Sequence, residues 1–437
     1  MNNAPRDKPR GARAEIVAWA MYDWANSAYS TISITILFYY LDLISPEGWG
    51  TVVWAWGISS SMFVAAVLSP ILGAMADARR NKRTWLAVTA LGGATTAVAL
   101  AATPPTCPWT IVGLFVLTSL CFELSLGFYN GFLPEIADER SMNRVSAFGY
   151  ALGYPGGAIP LILAVALGWW GAKIGLAEQS DQLRGGILIM GIWWGIFTLP
   201  TLWILRDRGP RPATRPPIAR VVSGALADVG RTLRNVRRYR TLALFLLGFL
   251  FYNDGIQTVL SQSSAFAKNV LAFTTKDLVG LVLLIQFLAL PGAMGVGRLA
   301  DRFGQKRMLI WCLAVWVGLV ATAFFVTTKT QFWLLGMVLA MVMGGTQSVS
   351  RAIMGMMTPA ARAAEFFGFF NLSGKATSFL GTFLFGEIVA ASNKAGLPLA
   401  TGTRWAVLSL LVFFVVGWLI IGRIDVEQGS REARAEP

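Results

Sequence analysis

The chain has 437 residues, of which 55% are apolar and 14% charged, and its formal net charge is +14. Ordinary soluble domains are less apolar and roughly a quarter charged, so this composition excludes a water-soluble globular protein and points to a lipid solvent. Histidine is absent and Cys107, Cys121 and Cys312 stand far apart, so no metal site, disulfide framework, imidazole chemistry or cofactor is expected.

Runs of about twenty apolar residues, the length that crosses roughly 30 Å of hydrocarbon, recur along the whole chain. Twelve spans are predicted, at 16–44, 49–75, 84–102, 110–133, 145–169, 184–205, 241–260, 275–299, 308–326, 332–354, 366–390 and 404–421. The first carries Asp23 and Asn26 and outruns a signal-peptide core, so it is expected to stay in the mature protein. Trp49, Trp54, Trp56, Trp169 and Trp170 fall near one set of span ends, where an indole anchors at the membrane interface.

The connections differ in charge from one side to the other. The N-terminus, alternate loops and the C-terminal tail hold 29 of the 37 Lys and Arg residues, and the opposite loops hold 7. That bias places both termini in the cytoplasm of a cell whose inner membrane the chain spans. Because the cations are spread over every inner loop, nucleic acid is not an expected partner. The longest break, 206–240, opens with Pro210, Pro212, Pro216 and Pro217 and continues from Ile218 with helically spaced apolar residues among arginines, which reads as an interfacial helix on the anionic leaflet. The expected organisation is an all-α membrane protein of twelve transmembrane helices in two pseudo-symmetric six-helix bundles: residues 1–205, a basic linker at 206–240, and 241–437 with a short tail.

A loop repeats 224 residues apart. Gly73-Ala-Met-Ala-Asp77-Ala-Arg79-Arg80-Asn-Lys82-Arg83 follows the second span, and Gly297-Arg-Leu-Ala-Asp301-Arg302-Phe-Gly304-Gln-Lys306-Arg307 follows the eighth. Glycine permits close helix approach, and an aspartate can accept hydrogen bonds from a helix N-terminus or an arginine, so the loop can act as a conformational latch. The pair resembles the inner-loop signature of the major facilitator superfamily. The second copy matches it closely. The first departs, with Ala78 where a basic residue is usual and Arg80 where a glycine is usual, and Asp77 is therefore expected to matter less than Asp301.

Inside the membrane, Asp23, Asn26, Ser27 and Ser30 on helix 1 share a spacing with Asp254, Gln257, Thr258 and Ser261 on helix 7, at an offset of 231. One polar stripe per half, each with a carboxylate, suits two repeats facing a central polar path. Glu123 on helix 4 and Lys375 on helix 11, which shares a stripe with Asn371, add ionisable groups near the midplane. Such groups usually pair or face a wet pathway, so Lys375 is expected to hold a solute carboxylate, with Asp23 or Asp254 for an ammonium, and to be neutralised by Asp254 or Glu123 when the site is empty; a purely structural pair with Glu123 or Asp254 is the alternative. Glu387 is expected to be solvated, and Arg351 to snorkel to the inner surface.

Three strings narrow the resemblance: Tyr22-Asp23-Trp24-Ala25-Asn26-Ser27 on helix 1, Tyr252-Asn253-Asp254-Gly255-Ile256-Gln257 on helix 7, and Gly344-Gly345-Thr346-Gln347-Ser348 on helix 10. With Phe128-Tyr129-Asn130 and Gly153-Tyr-Pro155-Gly156-Gly157, they are similar to the bacterial branch of major facilitators related to fungal vacuolar amino-acid effluxers of autophagy. The resemblance implies a monomeric secondary transporter that exports amino acids or other zwitterions by alternating access. Tyr22, Asp23, Asn26, Glu123, Tyr252, Asp254, Gln257, Gln347, Asn371 and Lys375 are the candidate solute site. Gly73, Asp77, Gly297, Asp301, Arg302, Gly304 and Arg307 are the latch.

Three rival readings stand beside this one. Gly149-x-x-x-Gly153 with Pro155 faintly resembles the signature of proton-coupled drug exporters, with Asp254, Glu123 and Asp23 as candidate carriers of a coupling proton. A passive channel is a second. An intramembrane enzyme is the third, and it lacks a histidine, a nucleophile elbow and a phosphate-cradling loop.

Overall fold

Apolar runs of this length have no water to satisfy their backbone, so each must close its N–H and C=O groups within itself as a helix. The computed structural model describes residues 12–46, 50–208, 224, 239–375 and 380–434; at 51, 52, 174, 275, 276, 279 and 375 it describes the backbone alone. In the first half, α1 runs Arg13–Ile32 and continues through a π-helical turn, Ser33–Leu37, into Phe38–Ile44. It is followed by α2 (Gly50–Arg79), α3 (Lys82–Ala102), α4 (Pro108–Asn130), α5 (Met142–Trp170) and α6 (Gln179–Ile204). The second half has α7 (Arg240–Leu271), α8 (Thr275–Phe303), α9 (Gln305–Ala323) and α10 (Lys329–Met356). Then come α11 in two pieces, Ala363–Lys375 and Leu380–Lys394, α12 as Leu399–Ser409 and Leu411–Gly422, and a final α13, Val426–Arg434.

Eleven helices among the described residues are long and apolar enough to cross a membrane. The remaining predicted span, 366–390, corresponds to the two pieces of α11, which flank residues 376–379 outside the described set. The interfacial helix expected from Ile218 also lies outside the described residues. Local chemistry sets several helix ends. Thr274 and Thr328 form capping boxes with Asp277 and Gln331 at the starts of α8 and α10, satisfying orphan N–H groups. At the turns between α2 and α3 and between α8 and α9, the repeated loop needs a left-handed residue. Gly304 takes it with φ 90°, and Arg80 takes the matching place with φ 50°. Arg80 thus holds a positive φ without glycine, at a cost of about 1–2 kcal/mol.

Within the first half α1 packs on α5 and α6, α3 on α4 and α6, and α2 on α4. Within the second, α8 packs on α10, α7 on α12, and α9 on α10 and α12. The halves meet where α2 lies on the first piece of α11 and where α5 lies on α8 and α10. The two seams are related by the repeat. Glycines let both close: a Cβ at Gly73 would stand 2.4 Å from the Ala364 carbonyl oxygen, and one at Gly297 would stand 2.5 Å from Ala147 Cβ.

The outer surface is apolar, with Trp56, Phe63, Trp109, Trp169 and Trp203 all exposed. Trp56, Trp169 and Trp170 are free to anchor at a membrane interface. Trp54 is not, because it is half-buried and stacks on Phe115, and Trp49 lies outside the described residues.

Candidate functional site

Polar side chains tie the halves together at the end of the bundle that carries both termini. The group with the most bonds between the halves centres on Arg351, five residues before the end of α10. Its Nη1 donates to Asp23 Oδ2 on α1 at 3.0 Å and to Asn130 Oδ1 on α4 at 3.3 Å. Nε donates to Ser146 Oγ on α5 at 3.1 Å, and Nη2 donates to the Ser146 carbonyl at 2.7 Å. Tyr150 and Trp19 lie 4.0 Å and 4.8 Å from the guanidinium carbon, and Tyr129 donates its hydroxyl to Asp23 Oδ2 at 2.8 Å. Gly149 makes the room, since a Cβ there would stand 2.6 Å from Asp23 Oδ2 and 2.7 Å from Arg351 Nη2. Arg351 is 2% exposed and Asp23 7%, so carboxylate, neutral acceptors and aromatic faces together replace the lost water. The expectation that Arg351 snorkels to the surface is corrected here. Its face of α10 is turned to the other half of the protein, where a carboxylate competes successfully with water.

The repeated loops form the next group, and they are unequal. Asp77 accepts the Glu365 backbone N–H at 2.9 Å, capping the start of α11, and lies 3.6 Å from Lys82 Nζ. Lys82 is fully buried, pairs with Glu135, donates to the Gly131 carbonyl at 3.3 Å and sits over the Phe132 ring. Asp301, by contrast, accepts from Asn143 Nδ2 at 3.0 Å and from Arg144 Nε at 3.0 Å, with the Arg144 side chain 64% exposed. Each loop therefore bonds the helix start that opposes it, α11 for the first copy and α5 for the second. Of the other residues expected to form the latch, Arg302 stacks on Phe303 and Arg307 is exposed. The tail adds a third tie. Ser430 and Arg434 of α13 bind Glu139 of the first half, while Glu432 accepts from Thr241 of α7 at 3.0 Å.

The remaining sequence candidates distribute between the halves. Tyr22, Asn26 and Glu123 are buried in the first. In the second, Tyr252 hydrogen bonds Ser350 Oγ at 2.7 Å, and Asp254 Oδ2 accepts the Gly381 N–H at 3.0 Å. Gln257, Gln347 and Asn371 are half-buried, and Asn371 faces Gly127 of α4 across the seam. Lys375 ends the first piece of α11, and its side chain lies outside the described residues, so the expected pairing with Asp254 or Glu123 is not described. Glu387 is exposed, as its position implied. The partners missed by sequence reading are Asn130, Ser146, Lys82, Glu135, Asn143, Arg144 and Glu365. Two of them carried a signal: Lys82, because Lys306 repeats it in the second loop, and Asn130, which stands in one of the strings that carry the resemblance.

Comparisons with known proteins agree with this architecture. The family described as "Vacuole effluxer Atg22 like" matches residues 53–434. The uncharacterized MFS-type transporter YxiO of Bacillus subtilis is 31% identical over 94% of this chain and 95% of its own length. Autophagy-related protein 22 of Kluyveromyces lactis is 24% identical over 94% of this chain and 82% of its own. Among solved structures, the proton:xylose symporter XylE matches with a TM-score of 0.71 at 12% identity, covering 94% of this chain and 95% of that one. FucP in the outward conformation matches with a TM-score of 0.66 at 13% identity, covering 93% and 97%. These two likenesses establish the major facilitator fold.

Proposed function

The chain belongs to the Atg22-like family of major facilitator transporters, and we propose that within it the protein exports small zwitterions such as neutral amino acids by alternating access. Secondary transport follows from the family, and the enzyme reading is set aside with it. The observation that carries the mechanism is the Asp23–Arg351 bond, a buried ion pair with one charge on each half. Such a pair is poorly explained by packing alone, and it must break whenever the halves separate at this end.

Export as the direction is supported by the effluxer name of the matching family, and a zwitterion is supported by two buried charges of opposite sign in one place. The basic loops support cytoplasmic termini and an inner-membrane location. On that orientation the structure is closed toward the cytoplasm, with both loop latches and α13 engaged. The protein is expected to act as a monomer in the bilayer, with a small solute as its partner. The test is counterflow in proteoliposomes. Labelled leucine should enter saturably and faster when unlabelled leucine is preloaded inside. A flux that neither saturates nor responds to internal leucine would contradict the carrier reading.

A further inference from the structure

We infer that Asp23 and Arg351 are themselves the solute's charge anchors, Arg351 for a carboxylate and Asp23 for an ammonium, so that the solute is selected by its charge balance. This rests on the zwitterion reading above and names the residues that carry it. The candidates differ in which bonds must break. Asp254 accepts from Gly381 on its own half, and that bond survives separation of the halves. The Asp23–Arg351 bond at 3.0 Å does not, since α1 and α10 belong to different halves.

Pulling the pair apart takes Arg351 on α10 away from Asp23, Asn130, Ser146, Trp19 and Tyr150, all on the first half, and leaves an anion on α1 beside Tyr129. A lone buried charge of either sign is strongly unfavourable. A zwitterion supplies both missing partners at once and leaves the net charge unchanged. An anion would satisfy Arg351 and strand Asp23, a cation would do the reverse, and an uncharged solute would strand both.

A guanidinium presents a planar fork that matches a carboxylate better than an ammonium does, and in the closed pair the Tyr150 and Trp19 rings of the first half flank that fork. Asp23 keeps the Tyr129 hydroxyl at 2.8 Å within its own half, which fixes the carboxylate after Arg351 leaves. The solute inserts into an existing ion pair rather than occupying a separate vacant pocket. Because the inserted unit has no net charge, its movement is not driven by membrane voltage.

The test uses the purified full chain and three probes: leucine, N-acetylleucine, which lacks the ammonium, and leucine amide, which lacks the carboxylate. Binding is read by thermal shift and leucine flux in proteoliposomes. The parent should bind leucine at least tenfold more tightly than either derivative, and leucine flux should not change with an imposed voltage. Asp23→Asn combined with Arg351→Gln, which strands no charge, should lose leucine binding by about thirtyfold or more. Binding of either derivative as tightly as leucine, or retention of affinity within threefold in the double variant, overturns the anchors and leaves the carrier reading standing. If the double variant does not fold, the three-probe comparison on the parent decides alone. No binding of leucine or any other common amino acid overturns both.

Discussion

Asp77→Asn should open the terminus-bearing end of the protein more than Asp301→Asn. Asp77 is 5% exposed, caps the Glu365 N–H at 2.9 Å and lies 3.6 Å from Lys82. An amide at this place still accepts the N–H, so what is lost is the extra strength of a hydrogen bond to a charged group. That difference is about 0.5–2 kcal/mol, because such bonds contribute about 1.5–3 kcal/mol against about 1 for neutral ones. The closed state is thus weakened roughly two- to thirtyfold relative to the open one. Asp301 pairs with an Arg144 side chain that is 64% exposed, and surface pairs of this kind contribute about 0.2–1 kcal/mol. Asn143 keeps an acceptor in the variant, so the shift is about twofold. Electron-resonance distances between spin labels at the exposed positions of Arg140→Cys and Arg307→Cys, with Cys107→Ser and Cys121→Ala, read the open fraction directly. A larger open population for Asp301→Asn than for Asp77→Asn would refute the reasoning.

Lys82→Met leaves the Asp77 and Glu135 carboxylates buried together and should destabilise the protein by about 3–5 kcal/mol, with Glu135→Gln restoring much of that in thermal unfolding; no rescue would contradict the pairing. Asp277 accepts the Thr274 N–H at 2.9 Å at the start of α8 and the Lys329 ammonium at 2.7 Å. Asp277→Ala removes both and should lower the thermal unfolding midpoint, whereas an unchanged midpoint would deny the cap its role. Cys107 is exposed ahead of α4, and Cys312 is buried. An impermeant maleimide outside the cell should label Cys107, and labelling only after the inner face is opened would reverse the assigned orientation.

The span lengths were legible because hydrocarbon thickness fixes them locally, and the loop repeat was legible because both copies keep glycine, aspartate and the basic pair in register. Ranking the copies by closeness to that pattern did not foresee that Asp77 is the more deeply buried of the two aspartates. Similarity of the loop carries no information about burial, and Arg80 reaches the left-handed turn without glycine. Arg351 was misplaced for a different reason. Its partners come from α1, α4 and α5, more than 200 residues away in the chain, so no local spacing records them. Glu135 was hidden likewise, since its lysine stands 53 residues earlier. The polar stripes pointed correctly to buried Asp23 and Asp254, but their periodicity could not distinguish the carboxylate that bridges the halves from the one that does not. The amphipathic α13 went unread because nine residues offer too short a period to rise above a polar tail.

Separation of the halves at the terminus-bearing end during transport is the claim on which everything else rests. Asn143 Nδ2 and Asp301 Oδ1 sit 3.0 Å apart across the α5–α8 seam, so Asn143→Cys with Asp301→Cys, in a Cys107→Ser background, places two thiols within reach of a short, reducible bis-methanethiosulfonate crosslinker that can lock that seam. Crosslinked protein in proteoliposomes should take up no leucine, and reduction should restore uptake to the level of the unlocked variant. Undiminished uptake with the crosslink formed, confirmed by mass spectrometry, would contradict alternating access through this end.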